Sequence, residues 1–166
     1  MNIELNNITL CVYDNSEVHN KILLEFDSDS KSKYIYEIKE RIKDTINKKN
    51  IPFDCGFLVE INNEIIGYIF VSKKINDEIF LEYSILKKYR GKKYSTIILN
   101  EISNYLMNKH NIRSIVLDID PSNLSSIRSA LSAGYQIDEE EYINRNMEGK
   151  ILYRLDNYNY INKKRK

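Results

Sequence analysis

Tyr89-Arg90-Gly91-Lys92-Lys93-Tyr94-Ser95 is the stretch on which the reading of this chain turns. Ahead of it, Ile79-Phe80-Leu81-Glu82-Tyr83-Ser84-Ile85-Leu86 is rich in β-branched and aromatic residues, as buried strands are. Behind it, Ile98, Leu99, Ile102, Tyr105 and Leu106 recur on one face of a helix. A strand, a short basic turn and a helix start make an anion site. The N–H groups of a first helical turn lack intrahelical acceptors, and the macrodipole adds partial positive charge there. Lys92 and Lys93 place full charges beside those amides. The turn is expected to hold a phosphate.

A second segment of the same kind follows. Ser114-Ile115-Val116-Leu117-Asp118-Ile119 reads as a buried strand, and Asp120-Pro121-Ser122-Asn123 as a cluster that opens a helix. Leu124, Ile127 and Leu131 are expected on one helical face, with Gly134 where a helix end favours a left-handed residue. Asn123 reads as a helix cap, a ligand contact, or both.

The nucleotide-loop patterns G-x-x-x-x-G-K-[ST] and G-x-G-x-x-G are missing. The basic turn instead resembles the pyrophosphate loop of the GCN5-related N-acetyltransferases (GNAT), (Gln/Arg)-x-x-Gly-x-(Gly/Ala). Arg90 takes its first position, Lys93 its fourth and Ser95 its sixth. Both glycine positions are altered. Ser95 is still small enough for a phosphate to approach the backbone, whereas Lys93 stands where glycine tolerates angles that lysine does not. Residues 123–135 resemble the family's Asn-x-x-(Ala/Ser) … Gly-(Phe/Tyr) segment, with Ser126 at its fourth position. The resemblance is motif-level over residues 83–135 and architectural outside them. It implies an α/β (α+β) GNAT fold: a mixed, mostly antiparallel central sheet flanked by helices, with a splayed parallel strand pair.

The rest of the chain fits that order. Residues 8–13 suggest a first strand, and Asp14 with Glu17 a capping-box start to a helix carrying Val18, Ile22 and Phe26. Residues 27–30 form a polar break, and Ile35, Ile38, Ile42 and Ile46 then recur at helical spacing. Residues 57–61 and 64–71 read as strands joined by a two-residue turn at Asn62 and Asn63. Asn76 and Asp77 mark another turn, residues 139–141 an acidic one, and Ile151, Tyr153 and Leu155 alternate as a strand does.

With 166 residues, 5 glycines and 2 prolines, the chain suits one domain, residues 1–157, with a basic and poorly ordered tail at 158–166. A net charge of +1 gives no general attraction to nucleic acid, and the apolar run at 65–71 is too short to span a bilayer. No secretory leader is expected, and the family resemblance implies the cytoplasm. Cys11 and Cys55 read as buried apolar residues, His19 and His110 as ordinary surface or helix-end residues. No metal, nucleic acid or membrane partner is expected.

By resemblance, the chemistry is transfer of an acetyl group from acetyl-CoA to a primary amine by direct attack in a ternary complex. The acceptor is a small-molecule or protein amine, and the chain a monomer or homodimer. Ile85 and Lys87 are implied as main-chain contacts of the pantetheine arm. Arg90, Gly91, Lys92, Lys93, Tyr94 and Ser95 are implied at the pyrophosphate, and Asn123 and Ser126 as further coenzyme A contacts. Glu82, on the strand before the loop, is the candidate general base, with Glu78 behind it; a salt-bridged surface role stands beside that reading. The family's tyrosine acid falls at Ala130 here. That gap keeps a second function open, a non-catalytic sensor of acyl-CoA. A nucleic-acid-binding protein led by the basic tail is the third.

Overall fold

The computed structural model describes residues 2–29, 35–140 and 149–163. Ser30 of the expected polar break, Glu141 of the acidic turn and the last three residues of the basic tail lie outside them. The strands are β1 (Ile3–Glu4), β2 (Thr9–Cys11), β3 (Cys55–Ile61), β4 (Glu64–Val71), β5 (Glu78–Ile85), β6 (Ser114–Ile119), β7 (Gln136–Ile137) and β8 (Ile151–Asp156). The helices are α1 (Glu17–Asp29), α2 (Ile35–Asp44), α3 (Tyr94–Lys109), α4 (Leu124–Ser132) and α5 (Tyr158–Lys163). The strand order is β1-β2-β3-β4-β5-β6-β8-β7, and among the described residues the one parallel pair is β5 with β6. This is the expected mixed, mostly antiparallel architecture. The chain divides into two compact units, Met1–Ser72 with Tyr83–Tyr94, and Lys73–Glu82 with Ser95–Lys166.

In the first unit β1, β2, β3 and β4 pair antiparallel in that order, with α1 and α2 inserted between β2 and β3. The β3–β4 turn has Asn62 at φ 51° and Asn63 at φ 62°, so both residues take the left-handed conformation of a type I′ hairpin. Ile22, Leu23 and Phe26 of α1 and Ile38 and Ile42 of α2 pack with Leu58 and Tyr68 of the sheet in one apolar cluster. Val18 departs from the expected stripe and is exposed. The helix is capped by Ser16, whose Oγ accepts the His19 N–H at 3.3 Å, and not by Asp14. Asp14 instead accepts the Ser16 N–H, and it lies 2.7 Å from Nδ1 of His19. His19 thus stands in the first turn of α1, one of the helix-end positions expected for it, and its ring also stacks on Tyr13. The expected polar break at residues 27–30 is helical as far as Asp29.

In the second unit β5 pairs with β6 only from Glu78↔Ser114 to Phe80↔Val116, whereas β6 pairs with β8 along its whole length. Ile98, Leu99, Ile102 and Leu106 of α3 are fully buried, as their spacing predicts. The face of α4 is different from the expected one. Leu124 and Leu131 are exposed, and the fully buried residue is Ala130. A nine-residue helix leaves its rotation to its ends, and here it turns a small side chain inward. Gly134 follows that helix at φ 88°, as expected.

The expected tail also differs. Residues 158–163 are helical, and Tyr160 is buried with its hydroxyl donating to Asp77. Asn157 Nδ2 donates to the carbonyls of Ile112 (2.9 Å) and Met107 (3.3 Å), closing the end of α3. Side-chain anchoring of this kind has no periodic signature. No helix among the described residues is long and apolar enough to cross a membrane.

Candidate acyl-donor site

The site is assembled in the first unit from the end of β5. Two peptide units there have their direction fixed. The Leu86 N–H donates to Ile66 of β4 at 2.9 Å. The two ends of a trans peptide point in opposite directions, so the Ile85 carbonyl faces away from β4. The Ser84 carbonyl is pressed over Gly67 of β4, so closely that a Cβ built on Gly67 would sit 2.1 Å from its oxygen. By the same argument the Ile85 N–H also faces away from β4. Both main-chain groups of Ile85 are thus presented on one side, as pairing with an added strand requires.

A 3-10 turn, Lys87–Tyr89, carries the chain into the loop. Tyr89 packs against the apolar cluster of α1 and α2, and burial pushes its hydroxyl above the ordinary value. Lys88 lies 2.8 Å from the Glu25 carboxylate, which raises its pKa. It is committed to α1 and is not a loop cation. Arg90 donates from Nε to the Ile85 carbonyl at 2.8 Å. Gly91 takes φ 78°, and a Cβ there would meet nothing within 4 Å. Lys93 takes φ 62°, the left-handed conformation, at the position where the family pattern has glycine. For a residue with a Cβ this costs about 1–2 kcal/mol. The loop therefore keeps the glycine geometry without the glycine. Lys92 and Lys93 are exposed, with Lys92 Nζ 5.7 Å from the centre of the Tyr89 ring.

In the second unit α3 continues from Ser95, whose side chain is half-buried beside Thr96 and Ile97. Asn123 is an N-cap: its Oδ1 accepts the Ser126 N–H at 3.2 Å, so these two candidate residues stand together at the start of α4. Glu82 is exposed on the same strand face as Phe80, with Leu81 buried opposite. Glu78 is excluded as a free base. It accepts from Ser114 Oγ at 2.8 Å and from Arg154, whose Nε also donates to Asp138 at 2.6 Å. The Tyr135 hydroxyl shares a 2.8 Å hydrogen bond with Ser103 and is buried, as a packing aromatic is.

Residue by residue, the loop joins Arg90, Gly91, Lys92, Lys93, Tyr94 and Ser95 into one turn that leads directly into the first N–H groups of α3. A pair of cations, two left-handed residues and a helix start fit a diphosphate. Sequence reasoning passed over Gly67. An isolated glycine inside a strand marks close backbone approach, and that signal was present in residues 64–71.

Comparison with known proteins agrees with this geometry. The model of the acetyltransferase (GNAT) family matches residues 17–135. An uncharacterized N-acetyltransferase of Methanocaldococcus jannaschii is 29% identical over 83 residues, which cover 50% of this chain and 53% of the relative. The match thus spans about half the length of that curated relative. Among solved structures, the ribosomal-protein-S5-alanine acetyltransferase of Vibrio fischeri superposes with a TM-score of 0.72 at 19% identity, over 96% of this chain and 98% of that one. An N-acetyltransferase of Campylobacter jejuni in complex with acetyl coenzyme A superposes with a TM-score of 0.63 at 17% identity, over 92% and 97%. Acetyl-CoA is the acyl donor of this family. The chain belongs to the GNAT acetyltransferase family.

Proposed function

We propose that this protein transfers the acetyl group of acetyl-CoA to a primary amine. The observation that carries the reading is the loop at residues 90–95, with left-handed Gly91 and Lys93 opening directly onto α3. Main-chain N–H groups at Tyr94 and Ser95, with the charges of Lys92 and Lys93, hold the pyrophosphate. Main-chain groups of Ile85 and Lys87 hold the pantetheine arm, and Asn123 and Ser126 make further contacts. The bound donor supplies an activated thioester. The Ile85 N–H, turned away from β4, serves as the donor to the oxygen that gains negative charge during transfer. Glu82 accepts the proton that the amine must lose.

Transfer is direct, with no acyl group on the chain. The only two thiols, Cys11 and Cys55, are buried, and burial pushes them up to about 12 and about 11. A thiol so poorly ionised at neutral pH is no nucleophile. Iodoacetamide at pH 7.5 is therefore expected to leave the folded protein unlabelled and to label it on unfolding. Rapid labelling of the native protein would contradict this. The same shifts fix the sign of a pH dependence. Thiols raised in the folded state favour folding below the ordinary thiol value of 9.0, and that contribution is lost as pH rises through about 11 to 12. Alkaline pH should lower stability.

The deciding experiment is a thiol-release assay across a panel of amines, with calorimetry of acetyl-CoA alone. Binding on the order of micromolar, about −8 kcal/mol, is expected, together with thiol release for at least one amine. Glu82→Gln should then lower kcat by about 10²-fold or more and leave acetyl-CoA affinity unchanged. Tight binding without release for any amine would favour the sensor reading, to which the burial of Ala130 in place of a tyrosine acid lends its one supporting observation. Absence of binding at millimolar acetyl-CoA would overturn both.

A further inference from the structure

Arg90 takes the first position of the loop pattern, where a cation beside a diphosphate invites a purely electrostatic role. Its geometry assigns something else. Arg90 is exposed, yet its guanidinium is not a free point charge, because one of its nitrogens is tied to the main chain. Nε donates to the Ile85 carbonyl at 2.8 Å, across the five residues that include the 3-10 turn. The Arg90 N–H donates to the Lys87 carbonyl at 3.2 Å, which fixes where the side chain begins. The Ile85–Leu86 peptide is therefore held at both ends, by Ile66 on its N–H and by Arg90 on its carbonyl. That carbonyl is on the side away from β4, the side on which the acyl donor's arm would lie.

We propose that Arg90 is a positioning residue, whose Nε orients the outward-facing main chain of Ile85 while its remaining N–H groups stay available to the pyrophosphate. The inference rests on the acetyl-CoA reading above. One guanidinium links the loop that takes the charged end of the donor to the strand residue that takes its arm. Arginine is suited to do both. It carries five donors in a rigid fork, so one can be committed to a carbonyl and others to an anion. Lysine conserves the charge but offers a single mobile nitrogen, and cannot reproduce the tether.

The test separates charge from tether by using two acyl donors, acetyl-CoA and S-acetylpantetheine, which has the thioester and the arm but no pyrophosphate. Arg90→Lys should lower kcat/KM by about tenfold with both donors, the expected scale for one hydrogen bond from a charged group. A loss confined to acetyl-CoA would overturn the proposal and leave Arg90 a phosphate contact only. A second measurement does not depend on turnover. Hydrogen exchange of the Leu86 amide in the free protein should accelerate by about fivefold in Arg90→Lys, since releasing the carbonyl loosens the whole peptide. Unchanged exchange would overturn the proposal even in a protein active with both donors. If the wild-type chain acetylates no amine from either donor, the transferase reading falls, and the exchange rate still decides whether Arg90 holds Ile85.

Discussion

Gly67→Ala is expected to destabilise the protein by about 3 kcal/mol, at the upper end for overpacking by one methyl group, and to abolish acetyl-CoA binding. The Cβ would stand 2.1 Å from the Ser84 carbonyl oxygen, well inside any tolerable contact. The atom it meets belongs to the backbone, so no side-chain rotation can relieve it. If β5 retreats, the Leu86-to-Ile66 hydrogen bond, 2.9 Å in the native strand, is drawn apart. The direction of the Ile85 peptide groups is lost with it. Urea unfolding measures the first effect and calorimetry the second. Gly91→Ala is the comparison: it has open space, and only its φ of 78° resists substitution, at about 1–2 kcal/mol. A Gly67→Ala protein no less stable than Gly91→Ala would show that Ser84 can move freely, and the argument for Ile85 would lose its support.

Ser95→Glu should weaken acetyl-CoA binding by about a hundredfold or more, as expected when a carboxylate takes the place meant for a charge-assisted phosphate contact. Ser95 is half-buried in the first turn of α3. The two ends of this prediction pull apart in a useful way. An acidic side chain in a first turn is favourable to the helix itself, by about 0.3–1 kcal/mol. The variant should therefore melt no lower than the wild type while binding is lost. A falling melting temperature would point to misfolding instead of repulsion, and unchanged affinity would mean that the diphosphate is held elsewhere.

Much of this arrangement was legible in the residues themselves. Asn62 and Asn63 between two largely apolar strands gave the hairpin because few residue pairs adopt φ > 0 twice in succession. Residues 114–119 were read as β6 to the residue, since a short apolar run, broken only by Asp118, ends at a proline-containing cap. The phosphate turn was legible because its chemistry is local: charges, a helix start and the strand before it are contiguous in sequence. What was not legible depends on contacts between distant residues. The two-residue β1 is too short for a pattern, and only its pairing with β2 defines it. The rotation of α4 follows from which small residue meets the sheet, and neither Leu124 nor Leu131 announces that it will be exposed. Tyr160 is held through Asp77, 83 residues away. Glu78 looked like a second base until Arg154 and Ser114 were seen to take its carboxylate.

Lys93 carries a further consequence, for how quickly the donor is captured. Where the family pattern has glycine, a free loop can wander between right- and left-handed shapes and must settle at the moment of association. A lysine held at φ 62° persists only if its neighbours over-determine that shape. The loop is thereby built before the ligand arrives, and little configurational entropy remains to be surrendered on binding. Encounter should then be limited by diffusion and charge steering, with an on-rate that falls as salt is added, and with no slow isomerisation phase in stopped-flow traces.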